Sequence, residues 1–333
     1  MKITIPAFNL ELGGGTRTLV RVAEGLAAYG HDVAFLIPER GGIQWKVTVP
    51  VISVPWIVPD AFPKSDIILT NFWSTVPPAW ESGAGQVVRF SLGYEPLWVK
   101  DPRAKETYLL PIPTLAISQW LASRIEAVAG RRPQVIHLGI EQETFVPPPP
   151  DAPPRSGILY IWRDKTLGYG FKGTDDFVQA LGPVMQRYPR LPLTIVTPVA
   201  CRVHLPYPHR VVVAPTDAEL AELYQQAAVF VSTSWFEGFS MPPLEAMSCG
   251  AAVVATNCGG IGEYARHQVN CLLVPPRTPM ALAQAILTVL GDPALRQRLG
   301  AAGVATARDW SWQRTWKEMH EALTAIHEAS RGT

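Results

Sequence analysis

The sequence lacks several features that would place it in common classes of protein. No cysteines have the Cys-x-x-Cys spacing, no His, Cys and Asp cluster has metal-ligand spacing, and no apolar run reaches transmembrane length. Neither sign of charge dominates, because 29 basic residues oppose 28 acidic ones. These absences argue against a structural zinc protein, a membrane-spanning protein and a nucleic-acid-binding protein.

The composition that is present fits a two-domain enzyme or binding protein. A chain of 333 residues with 47% hydrophobic content is long enough for two domains of ordinary size. The four cysteines predict reduced, mostly buried thiols. Because the chain opens directly into an apparent strand, we expect no signal peptide. We therefore expect a cytoplasmic protein, at most peripheral at the inner face of a membrane.

Proline is abundant and divides the chain. The densest of its 32 prolines lie between Pro147 and Pro154, in a run that predicts an extended spacer. We accordingly predict an N-terminal domain over residues 1–146, a Pro-rich linker over 147–156, a C-terminal domain over 157–310 and a final helix over 311–333. The helix could pack back toward the first domain. A surface loop within one large domain is the alternative explanation of the proline run.

Both halves of the chain alternate short apolar strands with amphipathic helices. The predicted strands cover residues 1–6, 33–37, 66–70, 87–90, 115–118 and 135–136, and then 158–162, 193–196, 211–213, 229–232 and 252–255. Such alternation predicts α/β domains, each with a parallel, doubly wound sheet that helices cover on both faces. Ligands of such sheets bind at the carboxyl ends of the strands.

The most informative segment follows the strand at 229–232. Glu237 and Glu245 stand eight positions apart, with Pro242 and Pro243 at a predicted helix start and Gly250 after its end. We place Glu237 in a loop and Glu245 in the first turn of the helix. Loop amides and the helix dipole would then converge on a point suited to phosphate, with an acid on either side for hydroxyl groups. An ordinary acidic helix start is the rival interpretation.

This spacing resembles the E-x7-E signature of retaining GT-B glycosyltransferases, especially family GT4. The resemblance implies a GT-B fold, in which two Rossmann-like, doubly wound domains face each other across a cleft. It implies that the second domain binds a nucleotide diphosphate sugar and the first domain binds the acceptor. Glu237 would face the sugar hydroxyls and Glu245 the ribose. The other donor-binding residues of the segment would be Gly238, Phe239, Ser240 and Met241.

Two cations precede the first helix of the second domain. Arg163 follows its first strand, and Lys172 with Gly173 precedes its first helix, for which Thr174 is the predicted N-cap. Cations at a cleft edge could neutralise a diphosphate and stabilise its departure, whereas solvated loop charges are the ordinary alternative. GT4 members place an Arg and a Lys-Gly at similar points. Residues 164–171 depart from the commoner spacing, which makes Arg163 the weaker assignment.

The first domain carries a glycine run and an acceptor candidate. Gly14 and Gly15, between the first strand and first helix, resemble the GT4 opening loop and are assigned to donor binding, although a plain tight turn is equally compatible. Residues 90–98 resemble a Q-D-Y-E-P segment found in rhamnan and O-antigen rhamnosyltransferases. Glu95 is therefore an acceptor-binding candidate, against the alternative of a solvent-facing loop acid. Trp73 and Trp98 are further candidates, because an aromatic face suits a sugar ring.

The sequence thus predicts an enzyme, a retaining glycosyltransferase that transfers a hexosyl or deoxyhexosyl group from a nucleotide diphosphate sugar to a carbohydrate or glycolipid acceptor. Glu237, Lys172 and Arg163 are the predicted catalytic residues. No metal cofactor is expected, and polysaccharide or glycoconjugate synthesis is the expected setting. Two alternatives stay open, a nucleotide-sugar epimerase of GT-B fold and a non-catalytic, carbohydrate-binding subunit.

Overall fold

The computed structural model describes residues 1–331 as two compact units. The first comprises Met1–Gly139 with the final helix, and the second comprises Ile140–Ser311. The division falls before the predicted linker at 147–156, because residues 140–146 already bond to the second unit. The Ile140 amide donates to the Trp310 carbonyl at 3.1 Å, and the Gln225 side chain donates to the Val146 carbonyl at 2.8 Å. Of the predicted final segment 311–333, residues 332 and 333 lie outside the described residues.

The first unit is built on a parallel sheet of seven strands. They are β1 (Lys2–Pro6), β2 (Asp32–Pro38), β3 (Val51–Val54), β4 (Ile67–Thr70), β5 (Gln86–Ser91), β6 (Thr114–Ala116) and β7 (Gln134–Val135). Their order across the sheet is β3-β2-β1-β4-β5-β6-β7. The helices between them are α1 (Gly14–Ala28), α2 (Val76–Ser82), α3 (Arg103–Glu106) and α4 (Gln119–Ala129).

The second unit has a parallel sheet of six strands. They are β8 (Ser156–Ile161), β9 (Leu193–Thr197), β10 (Arg210–Val213), β11 (Ala227–Ser232), β12 (Ala252–Thr256) and β13 (Leu272–Val274). Their order is β10-β9-β8-β11-β12-β13. The helices are α5 (Thr174–Arg187), α6 (Asp217–Gln226), α7 (Met241–Ser248), α8 (Pro279–Gly291) and α9 (Pro293–Ala307). The predicted pair of parallel, doubly wound α/β domains is confirmed.

Burial explains why these segments form central strands. All residues of β4 and of β12 are buried, as expected for strands that helices cover on both faces. Helix starts are fixed by side-chain caps. The Ser118 hydroxyl accepts from the Leu121 amide at the start of α4, and Thr216 with Glu219 forms a capping box at the start of α6. Because the strands of each sheet are parallel, the loops that follow them lie at one edge of that sheet.

The last helix, α10 (Trp312–Arg331), packs on α1 within the first unit. Its Trp316 indole donates to the Arg21 carbonyl at 2.7 Å and lies so close to Gly25 that a Cβ there would come within 2.0 Å of the ring. Glu318 accepts from the His137 backbone amide at 2.7 Å. Burial acts to raise the pKa of Glu318, but hydrogen bonds from His137 and Arg314 outweigh it and hold the pKa at about 2. A charged Glu318 thus anchors this helix across the neutral pH range.

The cysteines and the helices bear on two further expectations from the sequence. All four cysteines are free thiols, and three of them are buried, as the composition predicted. None of the helices described within residues 1–331 combines the length and the apolar character that crossing a bilayer requires.

Candidate active site

The loops at the carboxyl edge of the second sheet bring a lysine and a glutamate together. Lys172 follows β8, Glu237 follows β11, and the two are 65 positions apart in the chain. The Lys172 Nζ donates to Glu237 Oε1 at 2.6 Å, and the Ser234 hydroxyl donates to the same oxygen at 2.7 Å. Glu237 Oε2 accepts no hydrogen bond among residues 1–331. The carboxylate is therefore fixed through one oxygen, and the other can accept a substrate hydroxyl.

Backbone contacts hold both side chains in place. The Glu237 amide donates to the Cys258 carbonyl at 2.8 Å, and the Gly260 amide donates to the Glu237 carbonyl at 3.0 Å. A Cβ on Gly260 would come within 2.0 Å of the Gly238 carbonyl oxygen, so only glycine allows this approach. On the other side, the Thr233 hydroxyl donates to the Lys172 carbonyl at 2.8 Å. The pair is thus mounted on a rigid frame at the strand ends.

The start of α5 differs in one detail from the prediction. Its N-cap is Gly173, with φ of +68°, and not Thr174. A Cβ at Gly173 would come within 2.1 Å of the Thr233 carbonyl oxygen, which together with the positive φ explains the glycine. The Thr174 hydroxyl instead donates to the Arg163 carbonyl at 2.9 Å. This bond connects the loop that carries Lys172 to the end of β8.

Helix α7 begins next to this pair. Ser240, its N-cap, is buried with φ of +73°, and its carbonyl accepts a short hydrogen bond from the Tyr264 hydroxyl. Pro242 and Pro243 occupy the first turn, as predicted, and have no amide hydrogen to donate. The helix start therefore offers fewer amide donors than a start without proline. Gly238, Phe239, Ser240 and Met241 form the connection from Glu237 to α7, and their assignment to donor binding stays a prediction.

The structure corrects the placement of Glu245. This residue lies in the second turn of α7 and not in the first, since the helix begins at Met241. Its side chain is buried, and Oε2 accepts from the Tyr224 hydroxyl at 3.1 Å. A buried carboxylate with a charge-assisted partner can stabilise the helix as well as bind ligand. Its predicted contact with ribose stays a prediction.

Arg163 is not part of the Lys172–Glu237 pair. Its guanidinium carbon lies 5.7 Å from the centre of the Tyr169 ring, and the residue is half-buried. The loop after Arg163 has G-x-G-x-x-G spacing at Gly168, Gly170 and Gly173. However, six residues separate Gly168 from the end of β8. A dinucleotide fingerprint begins directly after its strand, so this spacing does not indicate one.

Sequence reasoning missed a second cluster beside the pair. The Trp235 indole donates to Asp176 Oδ2 at 2.7 Å, and the Arg277 guanidinium carbon lies 4.0 Å from the centre of the Trp235 ring. Arg277 has φ of +60°, an uncommon backbone conformation for a side chain of this size. Asp175 and Asp176 lie in the first turn of α5, where acids ordinarily serve the helix dipole. Only the fold reveals that Asp176 orients a tryptophan two positions from Glu237.

The thiol and phenol groups nearby are uncharged at neutral pH. Burial raises the pKa of Cys258 to about 12, and the Glu237 carboxylate adds to the effect. Burial likewise raises the pKa of Tyr264 well above its ordinary value. Neither group is a candidate nucleophile or base. Within residues 1–331, no group of three or more His, Cys, Asp or Glu side chains is arranged to hold a metal ion.

In the first unit, the glycine run opens α1. Gly13 is the N-cap, and Gly14 and Gly15 are exposed in the first turn. A Cβ on Gly14 would meet nothing within 4 Å, and one on Gly15 would meet Leu92 at 3.7 Å. Packing inside the unit therefore does not demand glycine at either position. Their assignment to donor binding stays a prediction.

Glu95 lies in a different environment from either alternative considered for it. It is 2% exposed, so it is not a solvent-facing acid. Arg89 Nη2 donates to both carboxylate oxygens at 3.0 Å, and the Tyr108 hydroxyl donates to Oε2 at 2.5 Å. Arg89 also donates to the Thr107 hydroxyl at 2.7 Å. An acceptor contact by Glu95 would require this buried network to open, and the structure favours a positioning role.

Both predicted tryptophans lie where strands end. Trp73 begins a short 3-10 turn after β4, and the Arg103 guanidinium carbon lies 5.5 Å from the centre of its ring. Trp98 follows the 3-10 turn that contains Glu95 and is 38% exposed. Its ring covers Gly93, where a Cβ would come within 2.8 Å of it. Both rings therefore offer surface at the carboxyl edge of the first sheet.

The chain resembles known glycosyltransferases in sequence. Residues 165–292 match the family model described as glycosyl transferases group 1. D-inositol 3-phosphate glycosyltransferase from Streptomyces bingchenggensis is 28% identical over 225 residues, which are 60% of this chain and 48% of that protein. O-antigen chain mannosyltransferase B from Escherichia coli is 38% identical over 97 residues, which are 29% of this chain and 25% of that protein. The chain thus spans about half, or less, of the length of these relatives.

Solved structures match nearly the whole chain. Anabaena HepE in complex with UDP-glucose superposes with a TM-score of 0.80 at 18% identity, covering 98% of this chain and 100% of that one. Sucrose-phosphate synthase from Thermosynechococcus elongatus superposes with a TM-score of 0.79 at 20% identity, covering 98% and 99%. The chain therefore has the GT-B fold of two Rossmann-like units. The sequence similarity to the group 1 glycosyl transferases covers residues 165–292, which contain Glu237 and Glu245 of the E-x7-E motif.

Proposed function

We propose that this protein is a retaining glycosyltransferase that uses a nucleotide diphosphate sugar. The observation that supports the proposal most directly is the Lys172–Glu237–Ser234 arrangement at the carboxyl edge of the second sheet. It combines a cation suited to a diphosphate with a fixed carboxylate suited to sugar hydroxyls. The region matched by the family model contains all three residues.

In the proposed reaction, an acceptor hydroxyl oxygen attacks the anomeric carbon from the face that the leaving group occupies. The bond from that carbon to the phosphate oxygen breaks, and its electron pair stays on the phosphate. This oxygen then takes the proton of the acceptor hydroxyl, so no separate protein base is needed. Lys172, assisted by Arg163, stabilises the negative charge that grows on the diphosphate, and Glu237 orients the transferred sugar.

The test is to establish a donor and then examine the product. A panel of UDP-, GDP- and dTDP-sugars is scored by protection of the protein against thermal unfolding. The protective donor is incubated with candidate acceptors, and the anomeric configuration of the product is determined by NMR. A product with the donor's configuration supports the proposal. An inverted product, or an isomerised free sugar as an epimerase would make, contradicts it.

The transferred group and the acceptor can be proposed more narrowly. We propose a hexosyl or deoxyhexosyl donor and a carbohydrate or glycolipid acceptor in cell-surface polysaccharide or glycoconjugate synthesis. The similarity of residues 90–98 to rhamnan and O-antigen rhamnosyltransferases supports this choice. So does the local similarity to an O-antigen chain mannosyltransferase. HepE, which shares the fold, was solved with UDP-glucose, so UDP-sugars are the first donors to try.

Replacing Glu245 with alanine should chiefly weaken nucleotide binding. A charged hydrogen bond to ribose would contribute roughly 1.5–3 kcal/mol, so the dissociation constant of the protective nucleotide should rise by about ten- to a hundredfold. Because Glu245 is buried and bonded to Tyr224, the variant should also unfold at a lower temperature.

The matched control is Tyr224→Phe, which removes the internal hydrogen bond and leaves the carboxylate. It should lower the unfolding temperature without a comparable change in nucleotide affinity. If both variants weaken the nucleotide equally, Glu245 acts through the packing of α7 and not through ribose.

Transfer should be independent of divalent metal. In the proposed mechanism, Lys172 and Arg163 stabilise the negative charge of the diphosphate. The two side chains take the role that a metal ion often has at a diphosphate. We therefore expect the initial rate in excess EDTA to stay within about twofold of the untreated rate, well below a metal effect of several kcal/mol. Loss of the rate in EDTA and its recovery with magnesium or manganese would show that a metal supplies part of this charge.

A further inference from the structure

A set of five aromatic residues occupies the loops at the carboxyl edge of the first sheet. We call it the aromatic row, and its members are Trp56, Phe8, Phe72, Trp73 and Trp98. Trp56 follows β3, Phe8 follows β1, Phe72 and Trp73 follow β4, and Trp98 follows β5. The order across the sheet is β3-β2-β1-β4-β5, so the row runs perpendicular to the strands. Four interstrand steps of about 4.8 Å give it a length of roughly 19 Å.

Contacts connect one end of the row to its centre. After β2, Arg40 places its guanidinium carbon 5.7 Å from the centre of the Trp56 ring. The next residue, Gly41, lies against Phe8, since a Cβ there would come within 2.4 Å of the Phe8 carbonyl oxygen. The Phe8 and Phe72 rings meet edge to face at 6.3 Å. The Phe8 and Phe72 rings are thus in direct contact, and Trp56 is connected to Phe8 through Arg40 and the backbone of Gly41.

Contacts also connect the centre to the other end. The Phe72 and Trp73 rings are 6.2 Å apart, and Arg103 on α3 lies over Trp73. Helix α3 contacts both the 3-10 turn that begins at Trp73 and the 3-10 turn that precedes Trp98. The buried Arg89–Glu95 pair fixes this second turn. The two turns that carry Trp73 and precede Trp98 are therefore both held by α3, and the second is also held by the Arg89–Glu95 pair.

The rings have surface available for a ligand. Trp56 is 62% exposed, Phe8 43% and Trp98 38%, while Phe72 and Trp73 are half-buried. A pyranose has an apolar face for an aromatic ring and a rim of hydroxyls for hydrogen bonds. Arg40 lies beside Trp56 and Arg103 beside Trp73, and both guanidinium groups carry hydrogen-bond donors. Arg103 Nε and Nη2 already donate to Asp101, which leaves Nη1 of Arg103 for a ligand. A succession of rings with a donor near Trp56 and another near Trp73 matches a chain of linked sugars.

A bilayer surface fits this row less well. The formal net charge of the whole chain is +1, so no large excess of basic residues would attract it to anionic lipid. The half-buried rings in the middle can contact a ligand that lies along the row, but they cannot insert between lipids as protruding side chains do. A single sugar would contact only one part of a row of this length.

We infer that the aromatic row binds an extended oligosaccharide, with several sugar units stacked along it from Trp56 to Trp98. This inference rests on the proposed function, whose acceptor it specifies as the end of a glycan chain and not a monosaccharide. Affinity should then rise with chain length until the glycan spans the row. Either end of the row should matter only for glycans long enough to reach it.

The experiment measures binding without donor or turnover. The full-length protein is screened on an array of defined glycans from monosaccharides to long oligosaccharides, and the best binder is compared in solution with its own shorter fragments. For the longest glycan, Trp56→Ala and Trp98→Ala should each raise the Kd by about tenfold. A disaccharide fragment should respond to at most one of them. Trp80→Ala, which removes a 44% exposed tryptophan on α2 that is not a member of the row, should change neither Kd.

Several results would overturn the inference. Affinity that is independent of glycan length, a disaccharide that responds to both end variants, or no binding to any glycan would each do so. The protein is also sedimented with anionic vesicles that mix phosphatidylcholine with phosphatidylglycerol. Sedimentation that depends on Trp56 and Trp98, without glycan binding, would identify the row as a membrane surface instead. Protection by nucleotide sugars is measured separately. Length-dependent glycan binding without donor binding or transfer would leave the row standing and reject the proposed glycosyltransferase function.

Discussion

Replacing Glu237 with alanine is expected to abolish transfer while the protein stays folded. The carboxylate is proposed to orient the sugar as charge develops at the anomeric carbon, and losing one such preorganised group costs about a hundred- to a thousandfold in rate. The side chain is 19% exposed and its partner Lys172 is 25% exposed, so the unpaired lysine can be solvated. Because most of both side chains is buried, the loss in unfolding free energy should exceed that of a surface pair and reach about 1–3 kcal/mol, which leaves the protein folded.

The measurements are the initial rate at saturating donor, the thermal midpoint and the donor Kd. Glu222→Ala is the matched control, because it removes an exposed acid from α6 of the same unit. The control should retain full activity. A Glu237→Ala enzyme that keeps its rate within a few-fold would remove this residue from the proposed mechanism, whereas a collapse of the thermal midpoint would indicate a structural role.

The sequence was sufficient to predict elements whose cause is local. Strand β12 is an uninterrupted apolar run, and a fully buried parallel strand requires such a run. Helix α7 is delimited by its own residues, with prolines in its first turn and Gly250 at φ of +75° just after its end. Strand β3 was not predicted, because it is a four-residue edge strand interrupted by Ser53 and flanked by Pro50 and Pro55.

Contacts between distant segments could not be predicted in the same way. Glu95 was recognised as unusual, but its partner Arg89 interrupts an apolar strand, and only the fold shows that the two charges neutralise each other. A charged residue inside a buried strand was the available signal, because burial of an unpaired charge is costly. Likewise, the motif identified Glu237 and Lys172 separately. The direct hydrogen bond from Lys172 to Glu237 depends on the pairing of β8 with β11, which the motif does not reveal.

The same limit applies to the aromatic row. Each of its members follows a strand, and that much can be inferred from the sequence. Their order along the edge depends on the strand order β3-β2-β1-β4-β5, which does not follow the order in the chain. Trp73 and Trp98 were singled out because an aromatic face suits a sugar ring. Trp56 and Phe8 join them only through the topology of the sheet.

Replacing Lys172 with alanine is expected to slow transfer at saturating donor by about a hundredfold or more. The negative charge on the diphosphate grows as the bond to the sugar breaks, so a cation there stabilises the transition state more than the bound donor. The maximal rate should accordingly fall much further than the donor Michaelis constant rises. A rise in the Michaelis constant alone would mean that the lysine contributes equally to both states and that its catalytic role is wrong.

The same loop provides the control for this variant. Lys165 lies seven positions earlier, is 59% exposed and pairs with Asp175 on the surface, so Lys165→Ala should leave both constants near their original values.

The double variant Lys172→Ala with Glu237→Ala then tests whether the ion pair acts as a unit. If each residue serves the reaction mainly through the other, the double variant should be no slower than the worse single variant. If Lys172 stabilises the diphosphate and Glu237 orients the sugar independently, the two losses should multiply. We expect the losses to multiply in part, because Glu237 can contact the sugar through Oε2 while Oε1 remains bonded to Ser234.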